Sequence, residues 1–145
     1  MSSTLEHRDA GARSPSIHAP NALPRLLAGW YAERRPATLR DHLDRYGRLP
    51  GKRHEQLIDV VEASGLTGRG GAGFPTHRKL QAVRQATRRP LVVANGVEGE
   101  PASVKDRLLL SVAPHLVLDG AVLAAAMVGA DGVHVCVARG PHSPL

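Results

Sequence analysis

Ten residues between two helical patterns, GRGGAGFPTH at positions 68–77, constrain this chain more than any other feature. Four glycines within six positions predict a backbone that adopts positive φ angles or approaches a ligand closely, because glycine loses much entropy on ordering. The N–H groups of such a loop, with the helix start after Pro75, would offer an anion a cradle. Taken alone, the run predicts either this cradle or a flexible turn, since glycine motifs give many false positives.

Composition limits the class of protein. The length of 145 residues fits one domain. Ala, Leu and Val dominate the 42% of hydrophobic residues and only 3% are aromatic, which suits helices packed closely on a parallel sheet. No apolar run reaches the roughly 18 residues of a membrane span, and the N-terminus has no signal-peptide core. We therefore expect a cytoplasmic chain, one that could be peripheral to a membrane complex.

The sequence contains a single cysteine, Cys136. One cysteine excludes an internal disulfide and any metal cluster held by several thiolates of this chain. Its surroundings, VHVCVA, predict a small buried core residue rather than a reactive thiol.

A net charge of +6 raises the hypothesis of nucleic-acid binding. Before His54, however, the basic residues are mixed with acidic ones, and no RNA-binding aromatic motif or metal finger accompanies them. A second basic set without acids follows the glycine run: Arg78, Lys79, Arg84, Arg88 and Arg89. We expect these to form a solvated helix face, with Lys79 the exception, and we expect no nucleic-acid partner.

The chain divides into three parts. Residues 1–36 are rich in proline and predict a disordered or extended basic arm, with one short docking helix between Leu23 and Tyr31. Residues 37–53 predict a short helix, Thr38 to Tyr46, and a linker. Residues 54–145 predict an α/β domain.

Within that last part, helical and strand patterns alternate. Helices are predicted from His54 until Gly65, from Pro75 to about Thr87, over residues 104–111, and from Pro114 over the run 115–130, whose end Gly129 and Gly132 bracket. Strands are predicted at 90–95 and 133–138, both short, continuous and buried on both faces. This order predicts an α/β layer with a parallel sheet, whose ligands bind beyond the carboxyl ends of the strands, where the GVEGEP turn lies.

Three segments now carry a family resemblance: SGLTGRGGAGFPTHRKL at 64–80, VVANGVEGEPASVKDRLLL at 92–110, and APHLVLDGAVLAA at 113–125. Together they resemble the FMN- and NADH-binding flavoprotein of respiratory complex I, its 51 kDa subunit, and related subunits of bidirectional hydrogenases and formate dehydrogenases. The resemblance covers about residues 54 to 140. It implies a Rossmann-like parallel sheet with flanking helices, of which this chain holds the N-terminal part.

The resemblance also implies an activity. In that family NADH delivers a hydride to FMN, which passes single electrons to a four-iron iron–sulfur cluster, while the protein supplies position and electrostatics. The implied cofactors are FMN and NAD(H), and the implied partners are other subunits or a chain supplying the C-terminal half. The cluster would be carried elsewhere, because its cysteine ligands are missing here.

Ten residues match the cofactor-binding motifs of the family: Gly68, Arg69, Gly70, Gly71, Gly73, Phe74, Lys79, Asn95, Glu98 and Glu100. The resemblance implies that the loop approaches flavin and nucleotide, with Phe74 as a stacking face and Lys79 beside phosphate or reduced flavin. It further implies that Asn95 contacts the flavin and that Glu98 and Glu100 lie near the nicotinamide.

Each of these roles has a structural alternative. Lys79 can be a solvated helix lysine, and Asn95 a turn former at a strand end. Glu98 and Glu100 can cap the helix that begins near Ala102.

The chain departs from the family at several points. Val97 replaces the usual aspartate, and His77 and Arg78 replace a glycine and a hydrophobic residue; we expect His77 to be exposed and His115 to cap or pack. The sequence lacks the family's further glycine-rich acidic loop, small β domain and cysteine-bearing helical domain. It therefore predicts an incomplete or split member of the family, a non-catalytic nucleotide-binding or assembly module, or a truncated inactive member.

Overall fold

The computed structural model describes residues 25–51, 54–69, 72–86, 88–100 and 102–139. A 3₁₀ turn at Arg25–Leu27 precedes six helices and two strands in this part of the chain. In chain order these are α1 (Ala28–Glu33), α2 (Leu39–Tyr46), α3 (His54–Ala63), α4 (Thr76–Ala86), β1 (Val92–Gly96), α5 (Lys105–Val112), α6 (Pro114–Val128) and β2 (Val133–Val137).

The two short N-terminal helices overlap the predicted ones, while Leu23 and the rest of the predicted arm before Arg25 lie outside the described residues. Thr38 caps α2: its Oγ1 accepts the Asp41 N–H at 3.3 Å, and Asp41 Oδ2 accepts the Thr38 N–H at 2.9 Å. This reciprocal arrangement satisfies two donors that a helix start otherwise leaves unpaired. Gly47, at φ +75°, ends the helix.

Helices α3, α4 and α6 enclose a hydrophobic core cluster. Leu57 and Ile58 of α3 and Met127 of α6 are buried, and Val61 and Leu80 pack against them. The helical periodicity of residues 57, 58 and 61 therefore identified the inward face of α3 correctly.

The sheet consists of β1 and β2, which pair in parallel with Val92 opposite Val133 and Gly96 opposite Val137. Helices α5 and α6 contact β1, and α6 also contacts β2. The predicted α/β class, a parallel sheet with flanking helices, is confirmed.

One prediction about the strands is wrong for the described residues: they are not buried on both faces. Burial alternates along each strand, and Val93 and Cys136 are exposed. The prediction of a buried core cysteine is therefore also wrong. The reason is that α5 and α6 lie against one face of the sheet, while the described residues leave the other face open.

Helices α5 and α6 meet at Ala113 in a sharp bend. No single helix in the described ranges is long and apolar enough to cross a bilayer; α5 and α6 together reach that length and composition, with a 102° bend between them. Helix α2 docks beside this bend, with the rings of His42 and His115 5.6 Å apart. The packing role predicted for His115 is confirmed.

Candidate functional site

The glycine loop is closed at its base by main-chain hydrogen bonds. Gly68 N–H donates to the Phe74 carbonyl at 3.0 Å, and Thr76 N–H donates to the Leu66 carbonyl at 2.9 Å. Between them, Thr67 and Pro75 form an isolated antiparallel bridge. The loop is therefore a hairpin-like excursion that returns directly into the start of α4.

Glycine is required by conformation at one described loop position. Gly73 has φ +61°, a left-handed conformation that side chains with a Cβ rarely adopt. The predicted positive φ is thus present in the loop. Gly70 and Gly71 lie outside the described residues, and Arg69 is exposed.

Lys79 lies over the loop from the first turns of α4. A Cβ built on Gly68 would lie 3.7 Å from its Nζ, so the ammonium group sits close to the loop backbone. Lys79 Nζ is also 5.7 Å from the centre of the Phe74 ring, within the range of a cation–π contact. Three of the predicted site residues, Gly68, Phe74 and Lys79, are therefore brought together.

These groups remain accessible to a ligand. The Phe74 side chain is 47% exposed, and Lys79 is exposed as well. In the part of the chain that the structure describes, no carboxylate lies within ion-pair distance of Lys79. An exposed ammonium beside an aromatic face and a glycine backbone can bind an anionic, aromatic molecule.

His77 is not exposed as the sequence predicted. Its side chain is 15% exposed, and its Nε2 lies 3.6 Å from Oε1 of Glu62 on α3. This contact joins the start of α4 to the end of α3.

The second group of predicted residues follows β1. Asn95 Oδ1 accepts the Val97 N–H at 3.0 Å, which turns the chain immediately after the strand. The turn-forming alternative for Asn95 is therefore present in the structure. Its exposed side chain retains an amide N–H₂ that can donate to a ligand.

Glu98 is engaged in the start of α5. Its Oε1 accepts the Asp106 N–H at 3.0 Å and the Ser103 hydroxyl at 2.9 Å. This is the capping alternative, realised by a carboxylate eight residues upstream of the amide that it caps. Glu100 is exposed, and its carbonyl accepts the Ser103 N–H at 3.0 Å.

Sequence reasoning did not assign Lys105 and Asp106, which also lie at this turn. Their side chains pair at 2.7 Å. The hydrogen bond to Asp106 raises the pKa of Lys105, and the nearby carboxylates of Glu98 and Glu100 act in the same direction. Their position in the sequence could have identified them, because both residues begin the helix that follows the carboxyl end of a parallel strand.

A cleft of about 110 Å³ opens beside this turn, between the carboxyl end of the sheet and helices α5 and α6. Asn95 and Asp106 are among its lining residues, and its apolar wall includes Leu109, Val117 and Val135. The described contacts thus assemble two groups on separate elements, one on the loop before α4 and one on the turn after β1.

Fold and site together define a chain of the α/β class with a glycine loop and a polar turn at a strand end. The model of the Nuo51 FMN-binding domain family matches residues 61–142, so the chain belongs to that family. The resemblance carried by the three sequence segments is confirmed.

Curated relatives agree with this assignment. An NADH-quinone oxidoreductase subunit of Rhodobacter capsulatus is 38% identical over 103 residues, which is 70% of this chain and 24% of that protein. One of two such subunits of Rhizobium meliloti is 38% identical over 71% of this chain and 24% of its own length. The corresponding protein of Aquifex aeolicus is 36% identical over 57% of this chain and 20% of its own length. The chain thus spans about a quarter of the length of these relatives.

Proposed function

We propose that this chain binds FMN and NADH as one module of an NADH dehydrogenase-type flavoprotein. The observation that carries the proposal is the accessible Lys79 ammonium above the Gly68 backbone and beside the Phe74 ring. Its chemistry suits a ligand that combines a phosphate with an aromatic ring, as FMN does. Family membership supports the same cofactor.

In this proposal each group has a defined task. Lys79 neutralises phosphate or reduced-flavin charge, and Phe74 presents a stacking face. Asn95 donates its free amide N–H₂ to the flavin ring, and Glu100 binds ribose or amide groups of NADH. Glu98 acts with its unengaged oxygen, since Oε1 is used to cap α5.

FMN, when bound, would accept a hydride from NADH and release electrons singly. The iron–sulfur cluster that takes these electrons does not fit this sequence, because one cysteine cannot provide its ligands. We therefore propose that the cluster, and the remainder of the flavin pocket, come from elsewhere in a larger assembly. The relatives are named as subunits of an NADH-quinone oxidoreductase, which supports such an assembly.

The test measures FMN binding to the purified chain by fluorescence. We expect weak FMN binding, no NADH:ferricyanide activity, and FMN affinity at least about tenfold lower in Lys79→Ala, because a charge-assisted contact is lost. Arg78→Ala, a neighbouring exposed cation on α4, is the matched control and should bind as the wild type does. Equal affinity of the Lys79 and Arg78 variants would contradict the assigned site, and full activity of the chain alone would contradict the modular role.

The capping role of Glu98 favours a second candidate, a non-catalytic nucleotide-binding or assembly module. If the GVEGEP turn serves structure alone, a complex reconstituted with partner subunits should keep its activity when Lys79 and Glu100 are replaced. Loss of activity in a complex that still assembles would exclude this candidate.

A further inference from the structure

A buried histidine lies outside both groups of the candidate site. His42 of α2 is only 3% exposed, and its Nε2 lies 2.8 Å from Oδ2 of Asp119 on α6. A buried polar side chain is costly unless it is hydrogen-bonded, so loss of this pair would leave His42 buried without its carboxylate partner. Asp119 itself is partly exposed, at 30% of its side-chain surface.

The surroundings of His42 make it the centre of a small interface. Its ring is 5.2 Å from the Tyr46 ring and 5.6 Å from the His115 ring. Trp30 of α1 lines the same narrow cavity against the bend between α5 and α6. The helical segment 25–46, which we call the N-terminal latch, therefore rests on that bend.

A main-chain hydrogen bond attaches the latch to α5 directly. Ala37 N–H donates to the carbonyl of Val112 at 3.1 Å. Val112 is the buried last residue of α5, where helix carbonyls lack partners within the helix. At the opposite end of α5, Glu98 accepts the Asp106 N–H. This eight-residue helix is thus held by the latch at one end and by the GVEGEP turn at the other.

We propose that the His42–Asp119 pair fastens the N-terminal latch and that the fastened latch keeps α5, and with it the Glu98 turn, in a single position. Release of the latch frees the Val112 carbonyl and removes packing from the bend, so α5 loses the support at its last turn and is held by the cap at Glu98 and by its contacts with α6 and β1. A helix of this length is marginal without tertiary contacts. The inference goes beyond the proposed function and does not depend on it, because it concerns the chain without cofactor.

The experiment is hydrogen–deuterium exchange of the full chain with and without His42→Ala, read by mass spectrometry. We expect amides of residues 39–46 and also of residues 98–112 to exchange at least about tenfold faster in the variant. Amides of α3 and α4 should exchange at unchanged rates. His134→Ala, at an exposed histidine of β2, is the matched control and should leave the 98–112 amides unaffected.

Two results would overturn the proposal: acceleration confined to residues 39–46, or equal acceleration at 98–112 in His134→Ala. If His42→Ala unfolds the whole chain, Asp119→Asn decides, since it weakens the pair at its partly exposed end and keeps the side-chain volume. In that variant too, faster exchange at both 39–46 and 98–112 supports the latch, and faster exchange at 39–46 alone refutes it.

Discussion

Gly96 shows how one residue joins the sheet to the helix that carries the candidate turn. A Cβ built on it would lie 2.6 Å from Leu110 Cδ1 and 3.1 Å from the Cys136 carbonyl oxygen. Leu110 is buried, so its side chain has little room to withdraw. Glycine at this position therefore serves close packing of α5 on the end of β1, whereas the sequence suggested only a turn after Asn95.

We expect Gly96→Ala to lower the free energy of unfolding by about 1–3 kcal/mol, the usual cost of overpacking a filled site. Urea-induced unfolding followed by circular dichroism measures this difference. Gly132→Ala is the matched control, since a Cβ there meets nothing within 4 Å and the backbone needs no positive φ. Equal midpoints for the two variants would show that α5 moves away from the strand without cost.

At the scale of elements, α2 depends on a polar network at its start. Arg35 donates to both carboxylate oxygens of Asp41, at 2.6 and 3.1 Å, and Thr38 donates to the same carboxylate. These hydrogen bonds, with the guanidinium charge, hold the pKa of Asp41 well below its ordinary value. The carboxylate is thus more acidic in the folded chain than in the unfolded one, so it stabilises the fold only while ionised.

The sign of the pH dependence follows from this lowered pKa. The contribution of Asp41 to the free energy of unfolding is fully present above its pKa in the unfolded chain, about 4. It is lost as the pH falls towards the lower pKa of the folded chain. We expect Asp41→Asn to be less stable than the wild type at pH 7 and the difference to shrink progressively below about pH 4. Thermal unfolding midpoints of both proteins across this range measure the effect.

Asp44→Asn provides the comparison on the same helix. Asp44 is largely exposed, and its Oδ2 lies 3.9 Å from Nε of Arg40. Such an exposed ion pair contributes little to the free energy of unfolding. The thermal unfolding midpoint of Asp44→Asn should follow that of the wild type at every pH. A pH-independent deficit in Asp41→Asn would mean that the side-chain shape, and not its ionisation, stabilises the helix start.

The positions of the helices were more predictable from the sequence than the burial of the strands or the contacts of single side chains. Helices α2, α3, α4 and α6 follow from apolar periodicity and from glycine or proline at their ends, which are local signals. Lys79 was connected with the glycine loop through the family resemblance, and the structure places it beside Gly68 and Phe74. The burial of a strand, in contrast, depends on what covers each face, and a continuous apolar run such as 133–138 does not reveal it. The Glu98 cap was foreseen only as an alternative, since a carboxylate near a helix start serves binding and capping equally well.

At the scale of the whole molecule, the sheet has two unlike faces. Helices α5 and α6 cover one, while Asn95 and its register partner Cys136 lie on the face that the described residues leave open. The candidate flavin-contacting amide is therefore displayed on an uncovered surface. This arrangement agrees with a chain that spans about a quarter of its relatives' length and, in our proposal, completes its pocket with other parts of an assembly.

The open face can be measured through its thiol. Cys136 is exposed on β2 and is the only cysteine in the sequence, so a thiol reagent reports on this one position. We expect the native chain to react with DTNB within about tenfold of the rate in concentrated urea, because an exposed thiol needs no unfolding to react. Cys136→Ser should give no signal. If the Cys136 thiol instead reacts several orders of magnitude more slowly in the native chain, this face of the sheet is covered in solution. Protection that fades on dilution would identify a second copy as the cover, and protection at all concentrations would identify the chain itself. Either result would contradict an open sheet face.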